Sequence, residues 1–227
     1  MQVIGSRNDE VITLKSSLFS NVYLLMASKG FVMVDAGNHD QEKEILNQLT
    51  KIEIQPEEIT LIIVTHGHSD HYGALAHLKE QTGADVLCHK DAAEYLQAGT
   101  SRAPVARTLW GSFIAAIHPE HQSEKVYPDI LVETEFDLQN YGLNGKVLHT
   151  PGHTPDSLSI VLESGHILVG DMITGNAGNL SFGMFCEDEV TLKKSIRKIL
   201  PYQADTIHLS HNESIGRQDL KDFIKTF

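Results

Sequence analysis

Three histidines and an aspartate lie within six residues of the sequence, in the pattern H-x-H-x-D-H. They are His66, His68, Asp70 and His71, and they follow shortly after the apolar run LIIV. A chain with this histidine and aspartate content contains the pattern by chance in roughly 3 of 1,000 cases. Divalent metal ions bind neutral imidazoles and ionised carboxylates that converge from rigid elements. The segment therefore predicts a metal site, and its four donors could fill most of two neighbouring sites.

Two neighbouring sites need further donors, and three stand in suitable settings elsewhere. His153 lies in the loop PGHTP, Asp171 ends the apolar run ILVG, and His211 follows the run TIHLS. A carboxylate at the end of a buried strand needs a strong partner to offset its desolvation. The other histidines lack a comparable setting, and we interpret them as structural or solvent-facing: His39, His77, His89, His118, His121, His149, His166 and His208.

The elements predicted to position these donors alternate in the first half of the chain. Apolar runs and helical spacing predict, in order, strand 31–37, helix 40–50, strand 60–65, helix 71–83, strand 84–89 and helix 91–99. This alternation implies parallel strands covered by helices.

The second half has a different rhythm, with short strands separated by turns. The predicted strands are 146–150, 157–164, 166–171 and 205–211, and a helix with an acidic start and a basic end covers 187–202. This rhythm suits a sheet with antiparallel pieces. We expect a single domain over residues 1–227, with two sheets in the middle and helices outside.

The segment 99–129 combines an apolar stripe with turn-rich flanks. The stripe consists of Leu109, Trp110, Phe113, Ile114 and Ile117. It predicts either a lid over a pocket or an ordinary outer helix packed on the core. Two arginines of the segment could contact an anionic group of a substrate, although loop solvation is their ordinary role: Arg102 and Arg107.

The overall composition excludes several classes of partner. The net charge is −12, from 18 basic and 30 acidic residues, which argues against nucleic acid and anionic membranes. The apolar runs are far shorter than the ~20 residues that a membrane span needs. The first residues show no signal-peptide pattern, and Cys88 and Cys186 form no disulfide framework. We expect a cytoplasmic protein.

The combined motifs resemble the signature of the metallo-β-lactamase superfamily. The resemblance rests on THGHSDH (65–71), PGHTP (151–155), the pairs Gly170-Asp171 and Ser210-His211, and VDAG (34–37). It extends from about residue 12 to about residue 215. It implies an α+β fold, a four-layer αββα sandwich with a dinuclear metal site at the edge of the two sheets.

The resemblance also implies a role for each donor. One metal ion takes His66, His68 and His153, the second takes Asp70, His71 and His211, and Asp171 bridges both. Asp35 is expected to orient a ligand loop through hydrogen bonds.

The chemistry implied is hydrolysis by a hydroxide shared between two divalent ions. Asp70 or Asp171 would pass a proton to the leaving group. The mixed nitrogen and oxygen donors suit zinc, and iron or manganese would also be accommodated.

Among branches of the superfamily, glyoxalase II-like thioesterases have the full seven-ligand set. They also carry a basic, cysteine-containing glutathione motif after the bridging aspartate and an additional helical domain. This chain has MITGNAGNLSFGMF instead and continues for 16 residues after His211. β-Lactam hydrolases generally lack an aspartate at position 171, and lactonases usually have a tyrosine where this chain has Thr174. We therefore expect a glyoxalase II-like hydrolase without the glutathione-binding domain, acting on a small carbonyl ester, thioester or lactone.

One alternative belongs to a different class of chemistry. Persulfide dioxygenases of the superfamily use a single iron with two histidines and an aspartate, which would leave several donors of this chain redundant. The expected partner is a small-molecule substrate, with no nucleic acid and no membrane. A homodimer is common in the superfamily, but no residue pattern establishes one here.

Overall fold

Two β-sheets packed face to face form the centre of the molecule. The computed structural model describes residues 3–5, 10–15, 20–117 and 122–227. Within them the first sheet contains, in spatial order, β1 Val3–Ile4, β2 Val11–Leu14, β3 Val22–Ala27, β4 Gly30–Val34, β5 Ile59–Ile63, β6 Asp85–His89 and β7 Ile130–Val132. The strands β1 to β4 pair antiparallel, and β4 to β7 pair parallel. The parallel pairs confirm the strand–helix alternation of the first half.

The second sheet is mostly antiparallel. In chain order the strands are β8 Glu135–Asp137, β9 Gly145–His149, β10 Leu158–Leu162, β11 His166–Leu168, β12 Thr174–Asn176, β13 Asn179–Ser181, β14 Thr206–His208 and β15 Ile215–Gly216. The spatial order is β15-β14-β11-β10-β9-β8, while β12 and β13 form a separate hairpin. Only β11 and β14 pair parallel in this sheet. The hairpin begins three residues after Asp171, and Thr174 and Ser181 of the hairpin line the same cleft as Asp171.

Among the described residues seven helices lie outside the two sheets, and all but the fifth contribute buried apolar side chains to an outer layer. They are α1 Glu42–Lys51, α2 Ser69–Tyr72, α3 Leu75–Thr82, α4 Ala93–Ala98, α5 Leu109–Ile117, α6 Glu189–Ile199 and α7 Arg217–Ile224. Among the described residues no helix has the length and apolar character needed to cross a bilayer.

The alternation of side chains along the strands builds the layers. In β3, Leu24 packs outward with the helices of the first half, and its neighbour Leu25 packs between the sheets. In β10, Ile160 joins the same inner core, and Val161 packs outward against α6 and α7. Successive strand residues point to opposite faces, so each strand serves two apolar layers. The α+β prediction and its αββα layering are confirmed.

The predicted helix 71–83 is divided into α2 and α3. Its predicted end is confirmed, because Gly83 adopts a left-handed conformation with φ +68° and its N–H donates to Lys79 O. The division falls at Gly73, where a Cβ would lie 2.2 Å from the backbone nitrogen of His39. The Gly73 N–H donates to Gly37 O at 2.8 Å. A continuous helix is therefore replaced by a close contact with the loop after β4.

The helix α5 leaves its apolar side chains in solvent. Leu109 is 93%, Trp110 61% and Phe113 52% exposed. The interpretation of this stripe as core packing is therefore wrong for these residues, while its role as a lid stays a prediction. The residues His118 and His121, in the same predicted segment, lie outside the described residues.

Candidate metal centre

The seven predicted donors meet at one edge of the two sheets. Beyond the end of β5 the Val64 N–H donates to Leu87 O at 2.9 Å, and Thr65 O accepts from the Leu158 N–H at 2.8 Å. The chain that leads into the H-x-H-x-D-H segment is thus hydrogen-bonded to a strand of each sheet. His68 is the last extended residue before α2. The two remaining donors of the segment therefore lie on the first turn of that helix.

Three histidines form the first group. His68 Nδ1 lies 2.9 Å from His66 Nε2 and 3.1 Å from His153 Nε2. All three residues are buried. A neutral imidazole carries one N–H, so converging ring nitrogens cannot all satisfy one another, whereas one cation would satisfy all three. The donor atoms lie within 4.8 Å of one another, which fits a shared metal ion.

The second group combines two imidazoles with a carboxylate. Asp70 Oδ2 lies 3.5 Å from His71 Nε2 and 3.5 Å from His211 Nε2. The three donor atoms again lie within 4.8 Å of one another. His71 is fully buried, whereas the side chain of His211 is 29% exposed. This group is therefore open to solvent on one side.

Asp171 lies between the two groups. Its Oδ2 is 3.6 Å from His153 Nε2 and 3.0 Å from His211 Nε2, and its Oδ1 is 3.4 Å from His71 Nε2. Among the described residues, Asp171 Oδ1 and His71 Nε2 have no hydrogen-bond partner although both are buried. Buried polar atoms are normally satisfied, so these two atoms fit a role as ligands. The structure thus brings all seven predicted residues together.

Asp35 holds one of these histidines from behind. Its Oδ1 accepts from the Thr65 N–H at 2.8 Å, and its Oδ2 lies 2.9 Å from Thr65 Oγ1 and 2.8 Å from His71 Nδ1. An N–H at Nδ1 leaves the lone pair of His71 Nε2 directed at the donors of the second group. Asp35 is buried and has φ +61°. Its position agrees with the predicted role in orienting a ligand.

The electrostatics differ between the two groups. Burial, reinforced by neighbouring imidazoles, lowers the pKa of His68 to about 3, and burial likewise lowers the pKa of His66 and of His153. These histidines are neutral at physiological pH and need lose no proton to bind a metal. Burial opposes protonation of His71 and His211 as well, but the adjacent carboxylates raise the pKa of both.

A cleft of about 460 Å³ opens above the donors. His153, Asp171 and His211 form part of its floor. Its walls combine hydroxyl and amide groups with apolar side chains: Thr108, Thr174, Ser181, Phe182, Gly183, Met184, Phe185 and Asn212. Among the described residues, none that lines it is a lysine or an arginine.

The interpretation of Arg102 as a solvated loop residue is wrong. Its side chain is only 14% exposed, and it pairs with Asp156 and Glu187. Asp156 is the functional candidate that the sequence did not reveal. It is fully buried, and its Oδ2 accepts from the Gly67 N–H at 2.8 Å. A signal was present, because Asp156 directly follows the PGHTP motif, but its partner lies 89 positions away.

The histidines predicted to be structural lie elsewhere. His208 contacts His166 and Ser214, and His89 stacks on His149 with the rings 4.1 Å apart. The remaining two described histidines occur at exposed positions, His39 beside Asp40 and His77 on α3.

Comparisons with known proteins agree with this geometry. The chain matches the family model of the metallo-beta-lactamase superfamily over residues 17–211, and it belongs to that superfamily. The predicted recognition is therefore confirmed.

Curated relatives carry several names. A beta-lactamase-like protein 2 homolog of Drosophila melanogaster is 29% identical over 95% of this chain and 64% of its own length. The hydroxyacylglutathione hydrolase GloC of Haemophilus influenzae is 25% identical over 82% of this chain and 81% of its own length. The chain thus spans slightly less than two thirds of the Drosophila protein.

A solved structure shows the same fold. The HARLDQ-motif metallo-beta-lactamase of Cronobacter sakazakii is 19% identical, with a TM-score of 0.70, over 96% of this chain and 88% of that chain. At this identity the likeness concerns the fold alone.

Proposed function

We propose that the protein is a metal-dependent hydrolase of a small carbonyl ester, thioester or lactone, with two divalent ions in its site. The observation that carries the proposal is the position of Asp171, whose carboxylate lies 3.6 Å from a ring nitrogen of the first group and 3.0 and 3.4 Å from two ring nitrogens of the second. Two divalent ions, for which the mixed nitrogen and oxygen donors suit zinc, would lower the pKa of bound water towards ~7 and polarise the substrate carbonyl. Relatives named probable metallo-hydrolase and hydroxyacylglutathione hydrolase support metal-dependent hydrolysis as the type of reaction.

In this proposal the seven side chains divide the work as the resemblance implies. The three neutral imidazoles of the first group would hold one ion: His66, His68 and His153. Asp70, His71 and His211 would hold the other, and Asp171 would be shared between them. The opposite shifts in histidine pKa support this division, because the second group gathers the carboxylate charge that a cation would neutralise.

The two aspartates are the proposed catalytic carboxylates. The side chain of Asp70 is 26% exposed and that of Asp171 is 10% exposed. Asp70 is therefore the better placed to take the proton that the attacking water releases, at the carboxylate oxygen that does not face His71 and His211, and to deliver it to the leaving group.

The cleft supports an uncharged acyl group as the part of the substrate that lies beyond the reacting carbonyl. Phe182, Met184 and Phe185 form apolar wall, and the described lining residues include no lysine or arginine that could pair with a carboxylate of a substrate. Arg107 is close, but it donates to Gly183 O and to Glu189 Oε2. Two relatives are named hydroxyacylglutathione hydrolases, but the described wall offers no counterpart for the carboxylates of glutathione.

The test combines metal analysis with turnover. The purified protein is expected to contain two divalent ions per chain by mass spectrometry and to hydrolyse members of a panel of esters, thioesters and lactones. His68→Ala should lose the ion of the first group and nearly all turnover. His77→Ala, which removes an exposed histidine of α3, is the matched control and should behave like the wild type.

Full turnover by a metal-depleted His68→Ala protein would refute the proposal. One iron per chain together with oxygen uptake on a persulfide would instead favour the dioxygenase alternative. The cytoplasmic location and a homodimer stay predictions.

A further inference from the structure

A buried ion pair lies directly behind the H-x-H-x-D-H segment, and neither partner is one of the seven proposed ligands. We propose that Arg102 and Asp156 are positioning residues that hold the peptide groups on both sides of Gly67, and through them the imidazoles of His66 and His68. The inference rests on the proposed function, because it assumes that these histidines bind a metal ion.

Both polar backbone groups of Gly67 are held by this pair of residues. The Gly67 N–H donates to Asp156 Oδ2 at 2.8 Å. The Gly67 carbonyl accepts from the backbone N–H of Arg102, also at 2.8 Å. These bonds fix the peptide that follows His66 and the peptide that precedes His68. A rotation of either peptide would move a proposed donor nitrogen.

The two residues are joined to each other by charge. Arg102 Nε lies 3.0 Å from Asp156 Oδ1. The two atoms are not aligned for a hydrogen bond, so the contact is an ion pair. Asp156 is fully buried, and a buried carboxylate needs a cation close by. The guanidinium is held in turn by Glu187 at 3.3 Å and lies 4.7 Å above the ring of Tyr95.

The same guanidinium connects the loop of the third histidine. Asp156 is three residues after His153 in the loop between β9 and β10. Glu187, the second carboxylate on Arg102, donates its backbone N–H to His153 O at 3.0 Å. Arg102 therefore joins the two loops that carry the three proposed ligands of the first group.

The packing leaves little room for adjustment. A Cβ on Gly67 would lie 3.1 Å from Asp156 Oδ2 and 3.3 Å from the ring of Tyr95. Next to it, Ser101 Oγ accepts from the Ser69 N–H at 3.1 Å. The first residues of the segment 99–129 are thus bonded to the ligand loop. Any lid movement would have to begin after Arg102.

The experiment compares substitutions of the pair with a matched substitution elsewhere. Arg102→Met keeps the length of the side chain without its charge, Arg102→Lys keeps the charge without the planar guanidinium, and Asp156→Asn keeps the shape without the charge. Arg217→Met is the control. Arg217 is the first residue of α7, and it also pairs with a carboxylate, that of Asp205 at 2.8 Å.

Zinc release to a chromogenic chelator gives the first readout. Removal of an outer-layer partner of a metal ligand typically costs 10–100-fold in metal affinity. We expect Arg102→Met and Asp156→Asn to bind the zinc of the first group roughly 10- to 100-fold more weakly. Arg102→Lys should fall between them and the wild type, and Arg217→Met should match the wild type.

Hydrogen exchange of the metal-free proteins gives a second readout that depends on neither metal nor activity. The amides of Gly67 and Ser69 should exchange faster in Arg102→Met than in Arg217→Met, while the unfolding midpoints show that both variants are folded. Unchanged exchange at these amides, or equal zinc loss from Arg102→Met and Arg217→Met, would overturn the inference. A wild-type protein that binds no metal would refute the proposed function. Faster exchange of the Gly67 and Ser69 amides in Arg102→Met would in that case show that the pair positions the loop without a metal.

Discussion

Two histidines near the end of strand β14, His208 and His211, have different neighbours. On one side His208 lies 3.0 Å from His166 and 2.8 Å from Ser214 Oγ, with the ring of Tyr23 beside it. Three residues later His211 lies 3.0 Å from Asp171 and 3.5 Å from Asp70. The strand ends at His208 and the chain bends at Ser210 and His211, so the two side chains lie in different surroundings.

The presence of carboxylates separates the two environments. Burial and the adjacent His166 lower the pKa of His208 to about 4, so this ring is neutral and its two nitrogens are satisfied by hydrogen bonds. Burial also opposes the protonation of His211, but Asp171 raises its pKa. His208 is satisfied by its neutral partners, whereas His211 lies among carboxylates whose charge a cation would neutralise. This contrast identifies a candidate metal site better than a count of histidines does.

The largest expected effect comes from removing the shared carboxylate charge. Asp171→Asn keeps the size of the side chain but offers one neutral oxygen in place of two charged ones. We expect the metal content to fall from two ions to about one per chain and turnover to fall roughly 1,000-fold. Metal analysis and steady-state kinetics measure both quantities.

The matched control for this variant is His166→Gln, which changes the other histidine group. Because His166 contacts His208 and none of the proposed ligands, His166→Gln should keep both ions and a turnover close to that of the wild type. If Asp171→Asn kept both ions and its turnover, the carboxylate would not be the feature that distinguishes the surroundings of His211 from those of His208.

The second prediction concerns stability against pH. Because the pKa of His208 is about 4 in the folded protein and 6.5 otherwise, the unfolded chain binds this proton more readily. The contribution of neutral His208 is therefore present above pH 6.5 and is lost as the pH falls towards 4. The loss amounts to about 2 kcal/mol at pH 5 and about 3 kcal/mol at pH 4.

Urea unfolding of metal-free wild type and His208→Gln at pH 7 and pH 5 measures this effect. Both proteins contain the other titrating histidines, so the difference between their pH dependences isolates His208. The variant should lose about 2 kcal/mol less than the wild type between these pH values. Equal losses would show that His208 is not held neutral by its surroundings.

The smallest predicted effect comes from the residue behind His71. Asp35→Asn removes the charge that holds His71 Nδ1 at 2.8 Å, and asparagine tolerates the left-handed backbone of this position. We expect the second ion to bind roughly 10- to 100-fold more weakly. Competition with a chelator should show this loss while the ion of the three-histidine group stays bound.

Ser214→Ala is the corresponding change on the other side of β14, because Ser214 holds Nδ1 of His208 at 2.8 Å. It should leave the affinity for both ions unchanged. Equal metal loss from the two variants would mean that a general loosening, and not the orientation of His71, weakens binding.

Local patterns explain why much of the molecule was predictable. The donors of the H-x-H-x-D-H segment are neighbours in the chain, and imidazole and carboxylate side chains are common ligands of divalent metal ions. The end of α3 at Gly83 follows from one glycine that adopts a left-handed backbone. The strand–helix alternation likewise follows from apolar runs and their spacing.

Contacts between distant residues explain the errors. The helix predicted over 71–83 is divided because Gly73 lies against the loop at His39. The sequence does not reveal the burial of Arg102, because its partner Asp156 lies far along the chain in the loop between β9 and β10. The stripe on α5 has the apolar content of a packed helix. Whether a distant element covers it is not encoded in the stripe itself, and Trp110 is in fact exposed.

The sequence by itself therefore determined the kinds of donor, their order along the chain and the layered arrangement of strands and helices. These follow from side-chain chemistry and from the period of each element, which are properties of neighbouring residues. Only the tertiary structure decided that Asp171 lies between the two groups of donors and that Arg102 and Asp156 enclose Gly67. Distances between residues far apart in the chain depend on how two sheets pack, and packing is a property of the whole molecule.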